Sequence, residues 1–478
     1  YAQEIEEFRT DVRTINTSLL ATDWYIDQMK RRAYESSPIP SQMEHAQYAF
    51  GVRDYIRYEN LLDSIRWDIN DFVDWVASDN PRTKYRNLIT QSGGDTSDYP
   101  ENALETVFYP TNKIRLPVNK ENVIKSGLVK EKDSDLILDY IDIDLPESII
   151  TKNQIMMLDI LANNNWERPI YFTGGSYEES EYIWMKDYLQ LDGLVYKLVP
   201  IKTSIENNPY EMGRIDSDLM YDIVKKWSWG NSESDEIYHD PETRKNSISF
   251  RGNLSRLSEK LISEGEYEKA EEILDLAFSK MPIDYYGYYS LWTPLVKSYY
   301  DIGKSEKVRE IVQKLSFKYS DRLSYFSSLE IFNQYDVGEE IISDIERFRN
   351  LIETIQESGE KEILADQIKS FISSSEQFNY IYGEYDYYIS LSNFLVSLLE
   401  LNELEYSMSV IDKIEEQLIR RVSVFSNIDE DEQVYYIEGI TSDINQYSRL
   451  INQIELYDID AYNKYDKNLK DMLARMIE

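Results

Sequence analysis

The chain has 478 residues and a net charge of -37, because 51 Lys and Arg face 88 Asp and Glu. This length is too great for one hydrophobic core, so we expect two or three domains. The negative charge disfavours nucleic acid and anionic membranes as partners, and the absence of Cys excludes disulfides, thiol catalysis and Cys-bound zinc.

The remaining composition predicts a folded chain without a cofactor. Hydrophobic residues make up 42% and aromatic residues 13% of the sequence, which is too much apolar material for a disordered acidic chain. His45 and His239 are the only histidines and lie far apart, so we predict no metal site. No run of 18 apolar residues occurs, so we expect no direct membrane insertion.

The N-terminal half alternates strands with helices. Residues 1–8 read as the end of an amphipathic helix whose beginning is missing, so we expect the chain to be a piece of a longer protein. The elements that follow are a strand at 11–16, a helix at 23–34, a weak strand at 53–58, a helix at 61–76, an exposed loop at 91–100, strands at 106–109, 113–116 and 136–145, and a helix at 153–162. This alternation predicts an α/β domain, a mixed sheet with flanking helices, over residues 1–205.

Residues 165–202 form the centre of this half. The pattern predicts a strand at 168–172, a turn at Thr173, Gly174, Gly175 and Ser176, a helix at 179–189 and a second strand at 194–201. The turn stands between a strand and a helix N-terminus, where free N–H groups could hold an anion or a sugar hydroxyl. It lacks the Lys of a phosphate-binding loop, so a plain tight turn is the other interpretation.

Asp142 and Asp144 lie on one face of the predicted strand at 136–145. Paired carboxylates of this kind can serve acid–base catalysis or calcium binding. We favour a solvated strand edge, because alternating aliphatic and acidic residues are typical of a half-exposed strand. No catalytic residue is therefore predicted in this chain.

Beyond a linking segment at 206–249, the pattern changes to helical hairpins. A second hairpin begins at Trp292, and a weaker copy begins at Leu391. Such hairpins must stack to bury their apolar stripes, which predicts an all-α, tetratricopeptide-like domain over residues 250–478. The residues that match the turn, the packing positions and the final Pro of a tetratricopeptide repeat are Gly265, Tyr267, Ala270, Leu274, Ala277 and Pro282.

Tyrosines gather around the start of the second hairpin. Repeat hairpins of this type usually bind polypeptide segments on their concave face. We therefore predict a polypeptide-binding surface there, with simple packing of the rings as the alternative. The candidate residues are Tyr285, Tyr288, Tyr289 and Tyr299, with Tyr286 and Tyr300 beside them.

Several segments carry a resemblance to a known family. They are residues 1–4, 10–20, 22–30, 80–84, 158–162, 165–173, 188–200 and 220–222, among which 165–173 reads Asn-Trp-Glu-Arg-Pro-Ile-Tyr-Phe-Thr. Through them the sequence resembles the soluble C-terminal region of a bacterial family of polytopic membrane proteins of unknown function. That family is related to the protein O-mannosyltransferases of the GT-C glycosyltransferase class. The resemblance covers most of residues 1–285.

The resemblance implies an extracytoplasmic, periplasmic module that is anchored by a transmembrane core absent from this sequence. Any glycosyl transfer would belong to that core, and no catalytic residue carries over. We expect the module to bind an acceptor protein or another polypeptide partner, beside the membrane core of the same parent protein. Two alternatives stay open: an interaction scaffold unrelated to glycosylation, and an independent enzyme in the α/β half, for which no set of nucleophile, base and orienting group is visible.

Overall fold

The computed structural model describes residues 2–62, 65–173, 181–203 and 212–477. The chain divides into two compact units, Tyr1–Lys226 and Trp227–Glu478. Among the described residues, the first (the α/β unit) contains the strands and the second (the helical unit) contains helices without strands. The predicted order, an α/β half before an all-helical half, is confirmed. The domain boundaries after residues 205 and 249 stay predictions.

Short strands form three separate three-stranded sheets in the described part of the α/β unit. The strands are β1 Tyr55–Tyr58, β2 Trp67–Asp68, β3 Phe108–Tyr109, β4 Lys113–Pro117, β5 Tyr140–Asp144, β6 Ile149–Thr151, β7 Tyr171–Phe172, β8 Leu189–Asp192 and β9 Val195–Leu198. The orders β3-β1-β6 and β2-β4-β5 each combine a parallel with an antiparallel pair, and β7-β9-β8 is antiparallel. The predicted mixed sheet is thus present in divided form, because strands of this length pair over only a few residues.

The helices of the α/β unit pack around these sheets. They are α1 Ala2–Phe8, α2 Asp23–Met29, α3 His45–Tyr48, α4 Ile69–Ala77, α5 Tyr85–Gln91, α6 Glu101–Leu104, α7 Lys120–Lys125, α8 Lys152–Asn164 and α9 Ser217–Val224. α8 begins with a capping box between Thr151 and Gln154, ends at Asn165 in the left-handed conformation, and packs against α4. Its buried apolar residues therefore form a large part of this unit's core.

Four predicted elements of this unit differ from the structure. Residues 11–16 form no strand, α2 ends at Met29, and the helix predicted at 179–189 is a 3₁₀ helix over Glu181–Tyr188. The helix predicted from residue 61 begins only at Ile69. Asp68 explains this late start, because its side chain accepts a hydrogen bond from the Asn70 N–H at 2.9 Å as an N-cap.

The helical unit consists of consecutive helices joined by short connections. They are α10 Pro241–Ser263, α11 Tyr267–Lys280, α12 Ile283–Tyr286, α13 Thr293–Asp301, α14 Ser305–Ser327, α15 Ile331–Asp336, α16 Gly338–Glu357, α17 Leu364–Ser375, α18 Asn379–Tyr382, α19 Glu384–Ile389, α20 Ser392–Glu400, α21 Leu404–Ser426, α22 Glu430–Ile454 and α23 Ile459–Ile477. Gly265, Gly303 and Asn402 have φ of 80°, 74° and 64°, so the turn predicted at Gly265 and the turns after α13 and α20 have left-handed backbone.

Apolar stripes hold the helical unit together. Leu254, Leu257 and Leu261 of α10 are fully buried at helical spacing, and α10 packs on α11, α13 on α14 and α16 on α17. The helical character of this half is confirmed, while the tetratricopeptide likeness stays a prediction. Among the described residues, no helix is both long enough and apolar enough to cross a membrane.

Candidate functional site

A groove of about 710 Å³ lies in the helical unit between the C-terminal end of α16, the start of α17, α20 and α22. Its size falls within the range of ligand-binding clefts. Side-chain amides mark its lining: Gln356, Asn393, Gln446 and Gln453. Each amide carries both a donor and an acceptor, which is the complement of a peptide group. The groove therefore has the chemistry to bind an extended backbone.

The wall between α16 and α20 is fixed by the Gln356 side chain. Its amide donates to Ser397 Oγ at 2.8 Å and, at 3.4 Å, to the carbonyl oxygen of Asn393. Leu364 and Leu450 also line the groove and are almost fully buried, so they provide an apolar floor. The groove is therefore a polar cleft above a packed apolar floor, and its shape is set by the packing of the surrounding helices.

Two cations, Lys361 and Arg449, also line this groove. The structure describes every Lys and Arg side chain between residues 260 and 470, and only these two and Lys467 lack a carboxylate oxygen within 4.0 Å. Glu400 lines the same groove but pairs with neither cation. Two of the three unpaired cations of this long stretch thus share one cleft.

A second groove of about 450 Å³ continues the first along α22. Gln446 and Arg449 line both. The lining of this groove includes Ile437, Thr441 and Arg449. These residues are four and eight positions apart, so they belong to one row along the surface of α22. Glu438 also lines the second groove. The two grooves therefore form one surface, called the α22 groove.

The predicted tyrosine surface lies elsewhere in the helical unit, in α12, α13 and the loop between them. Gly287 and Tyr288 have left-handed φ of 62° and 46°, and Arg251 of α10 holds this bend. The Arg251 guanidinium is fully buried and donates to the carbonyl oxygen of Gly287 at 2.8 Å. Burial lowers the pKa of Arg251 to about 10, so it stays charged at neutral pH.

Most of the predicted tyrosines serve packing. Tyr288 is 48% exposed, whereas Tyr285 and Tyr289 are half-buried. Tyr285 stacks on His239 at 5.3 Å between ring centroids. Tyr299 is 1% exposed and its hydroxyl donates to Asp275, so in this conformation it offers no surface to a partner. Tyr286 and Tyr300 are buried as well.

The predicted turn in the α/β unit is only partly visible. Thr173 directly follows β7 and is exposed. Gly174, Gly175 and Ser176 lie outside the described residues. The ligand-binding role of this turn therefore stays a prediction.

Asp142 and Asp144 form ion pairs with two arginines. Arg115 Nε lies 2.9 Å from Asp142, and Arg66 Nη2 lies 2.8 Å from Asp144. Arg66 also donates to the carbonyl oxygen of Ile114 at 2.9 Å, so the pair is tied to the neighbouring strand. These carboxylates therefore support the sheet β2-β4-β5. Within the described ranges, no group of three or more His, Cys, Asp or Glu is placed to hold a metal ion.

Sequence reasoning missed the α22 groove. Lys361 and Arg449 are far apart in sequence, and each occupies an ordinary polar position next to or on an amphipathic helix. The exposed row of Thr441, Asn445 and Arg449 is the one local signal, since it places amide and cation at helical spacing. That row marks a polar face without showing that the face borders a cleft.

Comparison with known proteins finds one family model that matches the N-terminal part of this chain. Residues 1–219 match the family model of TMEM260-associated domain 2. This match covers nearly all of the α/β unit and stops within α9. No curated protein and no solved structure is significantly similar to this chain.

Proposed function

We propose that this chain is the extracytoplasmic, periplasmic module of a glycosyltransferase-like integral membrane protein related to the protein O-mannosyltransferases, and that it binds acceptor protein or another polypeptide. The first half of this proposal rests on the sequence resemblance, and residues 1–219 match the family model of TMEM260-associated domain 2. The amide-lined α22 groove carries the second half. Bond formation belongs to the membrane core of the parent protein.

The helical unit supplies the binding surface in this proposal. Its successive hairpins with left-handed turns resemble tetratricopeptide repeats, which stack into extended scaffolds for polypeptide segments. An extended peptide exposes alternating N–H and C=O groups, and the exposed amides of Asn393 and Gln446 can bond both. Such contacts bind many sequences, which suits a module that receives different polypeptides.

Peptide binding tests the groove directly. Fluorescein-labelled extended peptides of about eight residues are titrated with the 478-residue chain, and binding is followed by fluorescence polarisation. We expect the double change Asn393→Ala and Gln446→Ala to weaken binding at least about tenfold, because two backbone-bonding amides are lost. Gln313→Ala on α14 is the matched control, since this exposed amide lies outside the groove. A failure of every peptide to bind the unchanged chain would refute the proposal.

The reading frame of the parent gene tests the membrane context. We expect the residues encoded before Tyr1 to form several long apolar helices of the kind that span a bilayer. A frame that encodes only water-soluble segments there would overturn the glycosyltransferase-like part of the proposal. If the chain still binds polypeptides in that case, it is an interaction scaffold unrelated to glycosylation.

A further inference from the structure

We propose that the α22 groove selects a polypeptide segment that carries a carboxylate about five or six residues away from an apolar side chain, with the carboxylate at Lys361 and Arg449 and the apolar side chain at Ile437. This inference rests on the proposed polypeptide-binding function and names the chemistry of the segment bound. Three observations lead to it.

The first observation is the unpaired charge. In a chain of net charge -37, carboxylates are abundant, and nearly every cation between residues 260 and 470 has one within 4.0 Å. Lys361 and Arg449 have none, although both are exposed and line one groove. Arg binds carboxylates with two parallel hydrogen bonds, so a carboxylate from outside is the ligand that this pair lacks.

The second observation is the apolar end of the same surface. Val434, Tyr435, Tyr436 and Ile437 occupy the first two turns of α22, and their exposed fractions are 71, 84, 59 and 40%. Consecutive exposed apolar residues of this kind mark a contact site. Asp431, Glu432 and Glu438 surround them, so a carboxylate is repelled here and an apolar side chain is favoured.

The third observation is the distance between the two ends. Ile437 and Arg449 are twelve residues apart on α22, which corresponds to about 18 Å along the helix axis. An extended peptide advances about 3.3 Å per residue, so five or six residues cover this distance. The amides of Asn445 and Gln446 lie between the ends. The groove therefore fixes the spacing of the two recognised side chains as well as their chemistry.

The test uses labelled, C-terminally amidated peptides of about eight residues in which a Ser-Thr spacer separates one Leu from two Glu. Matched peptides replace both Glu by Gln or by Lys, and a further peptide replaces them by Ser but has a free C-terminal carboxylate. We expect the complete chain to bind the Glu peptide at least about tenfold more tightly than the Gln peptide. Similar tightening by the free C-terminus would identify a chain end as the source of the carboxylate.

Three variants assign the selectivity to the groove. Lys361→Gln combined with Arg449→Gln should abolish the preference for Glu, whereas Lys467→Gln should leave it unchanged, because Lys467 is equally exposed and unpaired but lies outside the groove. Arg449→Glu should favour the Lys peptide. If the Glu and Gln peptides bind the unchanged chain equally, the carboxylate inference is wrong while polypeptide binding stands. If no peptide binds, both fail.

Discussion

The two units use buried charge in different ways. In the α/β unit, Arg53 and Asp159 are buried and bond mainly to backbone groups. Arg53 donates to carbonyl oxygens at the end of α4 and just beyond it, and Asp159 accepts from the N–H groups of Gln42 and Met43. In the helical unit, the buried Glu415 bonds to side chains of two other helices, Tyr447 of α22 and Asn468 of α23. The difference follows from the backbone. Inside long helices the N–H and C=O groups bond to one another, whereas the groups at helix ends and in loops need side chains as partners.

Arg251 obeys the same rule although it belongs to the helical unit. It donates to backbone carbonyls where the chain leaves helical structure, at Gly287 and Tyr288, and also to the Ser247 carbonyl of its own helix at 3.3 Å. Lys361 and Arg449 fall outside both groups, since they are exposed and bond to neither loops nor carboxylates. Charge that stabilises the fold can thus be separated from charge that is left for a ligand.

The largest effect is expected from Arg53→Met in the α/β unit. Arg53 is 3% exposed as a side chain and donates to carbonyl oxygens at the end of α4, among them Ala77 at 2.9 Å and Ser78 at 3.1 Å. Its loss removes a buried donor from each of these carbonyls and from the Asp79 carboxylate, which keep the side chains of Gln47, Thr83 and Lys84 as donors. We expect the free energy of unfolding to fall by about 3–5 kcal/mol in urea titrations. Arg57→Met, at an exposed site, should cost less than about 0.5 kcal/mol; equal costs would refute the role of Arg53.

Asp159→Asn should have the next largest effect, and the effect should depend on pH. Asp159 accepts hydrogen bonds from the Gln42 N–H at 3.1 Å and from Asn163 Nδ2 at 2.8 Å. An amide can replace only part of these acceptors, so we expect a cost of about 3 kcal/mol at about pH 5.

The sign of the pH effect follows from the pKa of Asp159. Burial raises the pKa of this carboxyl more than the hydrogen bonds from Ser41 and Gln42 lower it. Above the ordinary pKa of an aspartate, the folded state therefore holds a proton that the unfolded state has lost, and the free energy of unfolding falls as the pH rises. Asn does not titrate, so the cost of the change should shrink between about pH 5 and about pH 7. A cost that grows over this range would contradict the raised pKa.

These contrasts also show what the sequence could predict. The hairpins of the helical unit follow from local signals, because Gly265 and Gly303 end helices and apolar residues recur at helical spacing. Strands β4 and β5 were recognisable as well. The sequence did not show which strands share a sheet, because β1 pairs with both β3 and β6 and these strands lie far from it in the chain.

The candidate site was harder to predict than the fold. Tyrosine has an apolar ring and a polar hydroxyl, so the sequence does not tell whether Tyr299 is buried or Tyr288 exposed. Burial of a tyrosine depends on whether its hydroxyl finds a partner inside the fold, as the Tyr299 hydroxyl does by donating to Asp275. The α22 groove depends on Lys361 and Arg449, which lie far apart in the sequence and share one lining only in the folded helical unit.

Tyr447→Phe tests how the helical unit keeps a buried carboxylate. The Tyr447 hydroxyl donates to Glu415 at 2.9 Å, and both residues are buried. Because Glu415 loses one of its donors, we expect a cost of about 2 kcal/mol in urea unfolding. Tyr465→Phe is the matched control. Its hydroxyl donates to Asp412 at the same 2.9 Å, but the Asp412 side chain is 51% exposed and water can replace the bond.

The control change should therefore cost less than about 1 kcal/mol. The difference between the two variants reports mainly on the burial of the carboxylate, since each removes one hydroxyl from a tyrosine–carboxylate pair. If Tyr465→Phe lowers the free energy of unfolding as much as Tyr447→Phe does, the buried hydrogen bonds among α21, α22 and α23 stabilise the unit no more than an exposed pair.

Tyr288→Ala should have the smallest effect on stability. The Tyr288 ring is 48% exposed, and its one described ring contact is the Arg251 guanidinium at 6.0 Å from the centroid. Ala keeps a Cβ, so the left-handed backbone is equally strained before and after the change. We expect the free energy of unfolding to change by less than about 0.5 kcal/mol.

The same variant separates the two candidate surfaces of the helical unit. Tyr288 lies outside the lining of the α22 groove, so Tyr288→Ala should leave the affinity for the Glu peptide unchanged, while the change of Lys361 and Arg449 to Gln abolishes its preference. If Tyr288→Ala weakens peptide binding about tenfold and the groove variants do not, the exposed tyrosine loop is the polypeptide-binding site. Because both changes are made at exposed side chains, a loss of binding in either variant reports on the surface itself.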